Sequence, residues 1–206
     1  AAAPHMTVAQ TLGFVRERSD FFLPFFVGVG LLSIIGYGYL GWLPVALNRK
    51  VDVAIGDIAM INGAITLVFN TTGVFMAGRI SDAIAARGRN DAAVRVCVYI
   101  ALSTMVMGSL APMMPTLAGA FVFLTLLSLT MSAYTTLVPL AINLVTPNQM
   151  RGQVAAVYLL VNNLIGLGAG PALMPFVSDH VIGDPSRVYL SIAVITGVCG
   201  AAAAAT

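Results

Sequence analysis

The chain has 206 residues, 59% hydrophobic and 9% charged, with a mean hydropathy of +0.94 and a formal net charge of +2. Soluble globular domains carry about 25% charged residues, so this composition excludes one and points to an integral membrane protein. The small net charge, with basic residues in loops rather than along one amphipathic face, gives no footing for a nucleic-acid partner.

From the N-terminus, Ala1–Met6 reads as a cloning remnant and is set aside, His5 with it. Residues 7–20 read as a cytoplasmic linker tail, because Arg16, Glu17, Arg18 and Asp20 interrupt the approach to the first apolar run and no secretory cleavage site follows. Residues 21–206 then form one six-helix unit. A bilayer core of about 30 Å takes about 20 helical residues to cross, and backbone groups in lipid must bond within their own segment. Spans are therefore expected at about 21–47, 58–78, 92–111, 117–145, 152–178 and 188–206. The uncharged run Val96–Met150 is too long for one helix, and Ala111-Pro112-Met113-Met114-Pro115-Thr116 divides it, because proline lacks a backbone donor and restricts its predecessor. The apolar residues are contiguous rather than alternating, which rules out a β-barrel.

Basic residues set the expected orientation. A cytoplasmic N-terminus puts Arg16, Arg18, Arg79, Arg87, Arg89, Arg95 and Arg151 inside and leaves Arg49, Lys50 and Arg187 outside, seven against three. This agrees with the positive-inside bias, in an inner or plasma membrane. Trp42 and Tyr189 then fall near the outer interface. Cys97 and Cys199, about a hundred residues apart with no second ligand nearby, read as buried thiols. No cofactor, metal site or catalytic residue is expected.

The spans hold no ionisable side chain near their centres, so any charged coupling residue is expected elsewhere. Uncharged polar residues do fall at mid-depth: Tyr37 in the first span, Thr66 and Asn70 in the second, Ser132 and Tyr134 in the fourth, Asn162 and Asn163 in the fifth. Of these, Tyr37, Thr66, Asn70, Ser132, Asn162 and Asn163 are the expected lining of a substrate cavity. Glycine and proline concentrate in the first span (Gly28, Gly30, Gly36, Gly38 and Gly41, with Pro24 and Pro44) and the fifth (Gly166, Gly168, Gly170, Pro171, Pro175). Small residues let helices approach closely and prolines interrupt them, so these are the candidate moving helices.

Three stretches resemble a known family. Gly78-Arg79-Ile80-Ser81-Asp82-Ala83-Ile84-Ala85-Ala86-Arg87-Gly88-Arg89 resembles the charged loop between the second and third helices of each half of a major facilitator superfamily transporter. Ala83, Ala85 and Ala86 depart from that pattern, standing where the family has an Arg, a Gly and a basic residue. Pro147-Asn148-Gln149-Met150-Arg151-Gly152-Gln153-Val154-Ala155-Ala156 is similar to the start of the penultimate helix in many members. Asn162-Asn163-Leu164-Ile165-Gly166-Leu167-Gly168-Ala169-Gly170-Pro171, followed by Ser178-Asp179, resembles a signature of the spinster-like branch, as does Trp42-Leu43-Pro44.

The resemblance implies the C-terminal half of such a transporter: six helices, numbers seven to twelve, in a three-plus-three inverted repeat. It further implies an N-terminal six-helix half as partner and alternating access. The implied substrate is an amphipathic lipid such as a lysolipid or sphingolipid, with membrane lipids as further partners and proton coupling sited on the other half. Gly78, Asp82, Arg87, Gly166, Gly170 and Pro171 are the implied gating residues. Carriers of drugs, sugars or organic acids and a structural or channel-type subunit are the alternatives. An intramembrane serine protease of six helices needs a serine in G-x-S-G facing a histidine at similar depth; Leu110 follows Gly108-Ser109, and His180 is expected in the outer loop after the fifth span.

Overall fold

Thr7 opens the first helix with a reciprocal cap: its backbone N–H donates to Gln10 Oε1 at 2.8 Å, and its hydroxyl accepts from the Gln10 backbone N–H. In the computed structural model this starts α1 (Val8–Glu17), which leads through Arg18 into α2 (Ser19–Val51). Residues 7–87 and 92–206 are described; the first six residues and Arg89 lie outside them. The remaining long helices are α3 (Ile55–Ala85), α4 (Ala92–Leu110), α5 (Leu117–Val145), α6 (Arg151–Phe176) and α7 (Val188–Ala205). The segments around α2 to α7 are each long and apolar enough to cross a membrane.

The connections show why each helix stops where it does. α2 ends at Asp52, whose left-handed backbone (φ +50°) is one that a short polar side chain tolerates. α4 runs into a 3₁₀ turn at Ala111–Met113 around Pro112, and Thr116 accepts from the Gly119 N–H to begin α5. Lys50 Nζ donates to the carbonyls of Pro112 (2.9 Å) and Met114 (2.7 Å) and lies 4.9 Å from the centre of the Tyr189 ring. It thereby pins that loop to the end of α2. α6 continues as a π-helical turn, Val177–Ile182, which stops at Gly183 with φ +75°. His180, expected in a loop, stacks instead on Phe176 within this turn, because the π-helical continuation carries the helix past the apolar run.

A second correction concerns the charged stretch. α3 does not stop at Gly78 but runs on to Ala85, so Gly78, Arg79 and Asp82 occupy its last turns rather than a loop. The alanines that depart from the family pattern are strong helix formers and carry the helix on.

The helices pack as two interleaved triplets. α2 packs most extensively on α6 and also on α7, while α5 packs on α3 and on α4; α4 and α7 pack on each other. Exchanging α2, α3 and α4 with α5, α6 and α7 maps each of these contacts onto another of the set. Exchanged helices run in opposite directions along the bundle, which is the mark of a three-plus-three inverted repeat. Phe22, Ile35, Leu47, Leu137, Ile142, Met174 and Ile192 are almost fully enclosed. α3 is the outlying helix: Ile58, Gly73 and Ala77 are its buried residues among those described.

Candidate functional site

A cavity of about 350 Å³ lies among α2, α3, α5 and α6. Helical spacing places its polar wall. Asn62, Thr66 and Asn70 recur every four residues on one face of α3, Ser128, Met131 and Thr135 share a face of α5 at spacings of three and four, and Ser33 and Tyr37 stand four apart on α2. Asn162 enters from α6, and Leu32, Ile35, Leu40, Leu43, Leu124 and Leu127 supply the apolar remainder. Gly36, Leu40 and Thr135 on this wall are exposed, so the cavity opens to the outside of the bundle.

Tyr37, Thr66, Asn70 and Asn162 of the expected lining stand on the wall. Asn163 does not, but its Oδ1 accepts from the Tyr37 hydroxyl at 2.6 Å, and its Nδ2 donates back to the Leu159 carbonyl at 2.8 Å. Ser132 is elsewhere. It is 3% exposed, its hydroxyl donates to the Leu129 carbonyl, and it fills the α3–α5 seam where a Cβ on Gly73 would collide with it. One position separates Ser132 from Met131 on the wall, and about 100° of helical rotation sends its side chain to the neighbouring helix.

The wall is organised by a cluster of two hydroxyls and two acceptors. Ser33 Oγ lies 2.8 Å from the Val29 carbonyl and 2.5 Å from Asn162 Oδ1, while the Tyr134 hydroxyl lies 3.2 Å and 2.9 Å from the same two oxygens. Two hydrogens for two acceptors balance, so the cluster joins α2, α5 and α6 without leaving an oxygen bare. Asn70 has no such provision: its Oδ1 is buried without a hydrogen-bond partner among the described residues. No Asp, Glu, Lys, Arg or His stands on the wall among the described residues. Ser33, Asn62, Ser128, Tyr134 and Thr135 were not among the six residues chosen from sequence, although the four-residue spacing of Asn62, Thr66 and Asn70 was a visible signal.

The residues implied as gating fall into two groups. Gly166, Gly170 and Pro171 sit in the α2–α6 seam. A Cβ at Gly170 would lie 2.8 Å from the Ile34 carbonyl oxygen, one at Gly166 would lie 2.5 Å from Ser33 Cβ, and the Pro171 carbonyl accepts from Trp42 Nε1 at 2.8 Å. Gly78, Asp82 and Arg87 lie at the far end of α3. A Cβ on Gly78 would meet open space, and Asp82 and Arg87 are exposed. The Asp82 main-chain carbonyl accepts from the Ala86 N–H at 2.9 Å, continuing the helix.

At the same end α1 lies against α2 and α6: Phe14 meets Phe22 edge-on, the Thr11 hydroxyl donates to Gln153 Oε1, and Arg18 reaches the Val145 carbonyl at 3.4 Å. Cys97 and Cys199 are both free thiols.

No protein-family model matches the chain, and no curated protein matches it. Its architecture has a solved counterpart: a bacterial homolog of the human lysosomal transporter Spinster, in an inward-facing and unoccupied conformation. The two superpose with a TM-score of 0.72 at 17% sequence identity, covering 100% of this chain and 50% of that one. The chain thus spans half the length of the protein it resembles. Six membrane-length helices among the described residues, in two inverted triplets, give this chain a fold that matches half of that transporter's chain.

Proposed function

We propose that this chain is the C-terminal half of a secondary active transporter that works by alternating access, with the cavity among α2, α3, α5 and α6 as its share of the substrate path. One observation carries this: a polar-studded apolar cavity open to one side, in a fold that matches half of a transporter. The partner is an N-terminal six-helix half. The substrate is an amphipathic lipid of the lysolipid or sphingolipid kind, because leucines make up most of the apolar wall and hydroxyl and amide groups the rest. The charge-free wall favours placing proton coupling on the other half. The N-terminus and the Arg79–Arg95 end face the cytoplasm, following the basic-residue bias.

Tyr37, Thr66, Asn70 and Asn162 contact substrate in this scheme, with Asn163 holding Tyr37 in place. Asp82 acts on the balance of inward- and outward-open states. A carboxylate gains about 0.3–1 kcal/mol beside an exposed helix N-terminus, which such an end in the opposite half supplies. Proteoliposomes provide the test. A polypeptide carrying both halves accumulates a lysolipid against its gradient, whereas the 206-residue chain alone does not. Uphill transport by the chain alone overturns the half-transporter reading; accumulation of a sugar or organic acid in place of the lysolipid overturns the lipid assignment.

A further inference from the structure

The cavity has a neighbour. A narrower crevice of about 160 Å³ runs among α2, α4, α5 and α7, and Leu32 and Tyr134 line both spaces. On α2 the stripe Phe25, Gly28, Leu32 in the crevice continues as Gly36 and Tyr39 in the cavity, at steps of three and four. On α5 the stripe Leu127, Met131, Tyr134 in the cavity continues at the same steps to Val138 in the crevice. The two spaces are therefore stacked along one face of α2 and one face of α5, and Leu32 and Tyr134 stand between them. Both side chains are nearly enclosed, 5% and 7% exposed. The Tyr134 hydroxyl, tied to the Val29 carbonyl and Asn162 Oδ1, holds its ring in that position.

The two spaces differ in chemistry. The cavity wall carries Asn62, Thr66, Ser128 and Asn162, whereas Phe25, Val29, Cys97, Val98 and Val138 wall the crevice, with its charged residue, Asp20, exposed at the α1 end. A methylene takes up about as much room as a water molecule, about 30 Å³ in the liquid, so a crevice of about 160 Å³ admits about five of them. That is the end of one alkyl chain and not of two.

We propose that the crevice is a hydrocarbon subsite: it takes the end of the alkyl chain of a single-chain amphiphile whose polar end lies in the cavity, and Leu32 and Tyr134 form the partition that the chain passes. The inference rests on the cavity being the substrate half-site and adds where the chain goes. A chain end in the crevice leaves water for an apolar wall, whereas in the cavity it would strip water from amide and hydroxyl groups without replacing the hydrogen bonds. Leu32 opens the partition by changing between staggered rotamers, while Tyr134 stays bonded.

The test uses the purified chain in phosphatidylcholine nanodiscs and a lysophosphatidylcholine whose palmitoyl chain ends in a diazirine. After illumination, peptide mass mapping locates the adducts. They are expected on Cys97, Val98 or Val138 and should fall about ten-fold with excess unlabelled lysophosphatidylcholine, although two-chain lipid is present throughout. Val98→Trp fills the half-buried side of the crevice and should remove these adducts; Val138→Trp fills it from α5, so a folding failure of one variant leaves the test standing. Leu127→Trp, which fills the cavity, should remove them too, because the chain arrives with its polar end in the cavity. Saturable adducts confined to cavity residues such as Leu124 and Ser128 overturn the inference and leave the cavity in the substrate path. Crevice adducts that survive Leu127→Trp also overturn it, since the crevice then binds lipid on its own account. If neither space gives saturable adducts, both this inference and the cavity's role in the substrate path fall.

Discussion

Trp42 Nε1 donates to the main-chain carbonyl of Pro171 at 2.8 Å, a bond that another proline makes available. Within a helix that carbonyl would accept from the N–H four residues on, but the residue there is Pro175, which has none. The indole supplies the missing donor and ties α2 to α6 at the point where α6 cannot satisfy itself. Trp42→Phe keeps the apolar bulk and removes the donor, so it should destabilise the chain by about 1–3 kcal/mol, the cost of a half-buried carbonyl left bare. Denaturation in mixed micelles measures it; equal stability of the two proteins would mean that water or lipid already serves this carbonyl.

Gly168 and Gly170 separate close packing from mere small size. Gly170 faces main-chain atoms, the Ile34 carbonyl and the Gly38 N–H nitrogen, neither of which can swing aside, whereas a Cβ at Gly168 meets nothing within 4 Å. Gly170→Ala should cost about 1–3 kcal/mol by forcing the α2–α6 seam apart. Gly168→Ala should be neutral or stabilising by up to about 1 kcal/mol through helix propensity. Paired unfolding curves of the two variants give the comparison, and similar losses in both would refute the assigned contacts.

The Ser33, Tyr134 and Asn162 cluster should behave as a unit. Removing the Tyr134 hydroxyl leaves one hydrogen for two acceptors, so Tyr134→Phe and Asn162→Ala share one loss. Their effects should couple by about 0.6–1.7 kcal/mol, the range for hydrogen bonds between membrane helices. A double-mutant cycle on unfolding free energy measures this, and strict additivity would dissolve the cluster into independent bonds.

The turn before α7 carries a titration that a spectrometer can follow. The Ser186 hydroxyl (2.6 Å) and backbone N–H (2.9 Å) donate to Asp184 Oδ1, and Arg187 Nε lies 3.0 Å from Oδ2. The Ser186 hydrogen bonds first, and the Arg187 charge after them, hold this carboxyl below the usual carboxylate range. A depressed folded pKa means that the group favours the folded turn fully above the ordinary value of about 3.9. That preference fades as pH falls through the lowered value. Ser186→Ala should shift the Asp184 carboxyl carbon titration upward; an unmoved midpoint would assign the effect to the backbone N–H of residue 186 and to Arg187.

Six helices could be counted in the sequence because apolar length and proline punctuation act along the chain, where each residue speaks for its own depth. The facing of each helix was less accessible, since it depends on rotation about the axis. Ser132 and Met131 share a depth, yet one meets Gly73 on the neighbouring helix and the other lines the cavity. The stripe Asn62, Thr66, Asn70 was written at helical spacing and could have carried Asn62 into the expected lining. Ser33 and Tyr134 were harder to place, because their position depends on the shared Val29 carbonyl, a main-chain atom that no side-chain pattern reveals. The overrun of α3 past Gly78 was a competition between charge and helix propensity, and the alanines prevailed.

The two triplets are alike in plan but not in fastening. The α2–α6 seam is crossed by bonds from Ser33, Tyr37 and Trp42, whereas its counterpart, the α3–α5 seam, has steric contact at Gly73 and no side-chain hydrogen bond among the described residues. A body with one bolted joint and one sliding joint does not flex evenly. Strain applied anywhere in this half is taken up first where α3 meets α5, so α3 travels as a lever while α2 and α6 move as a single beam.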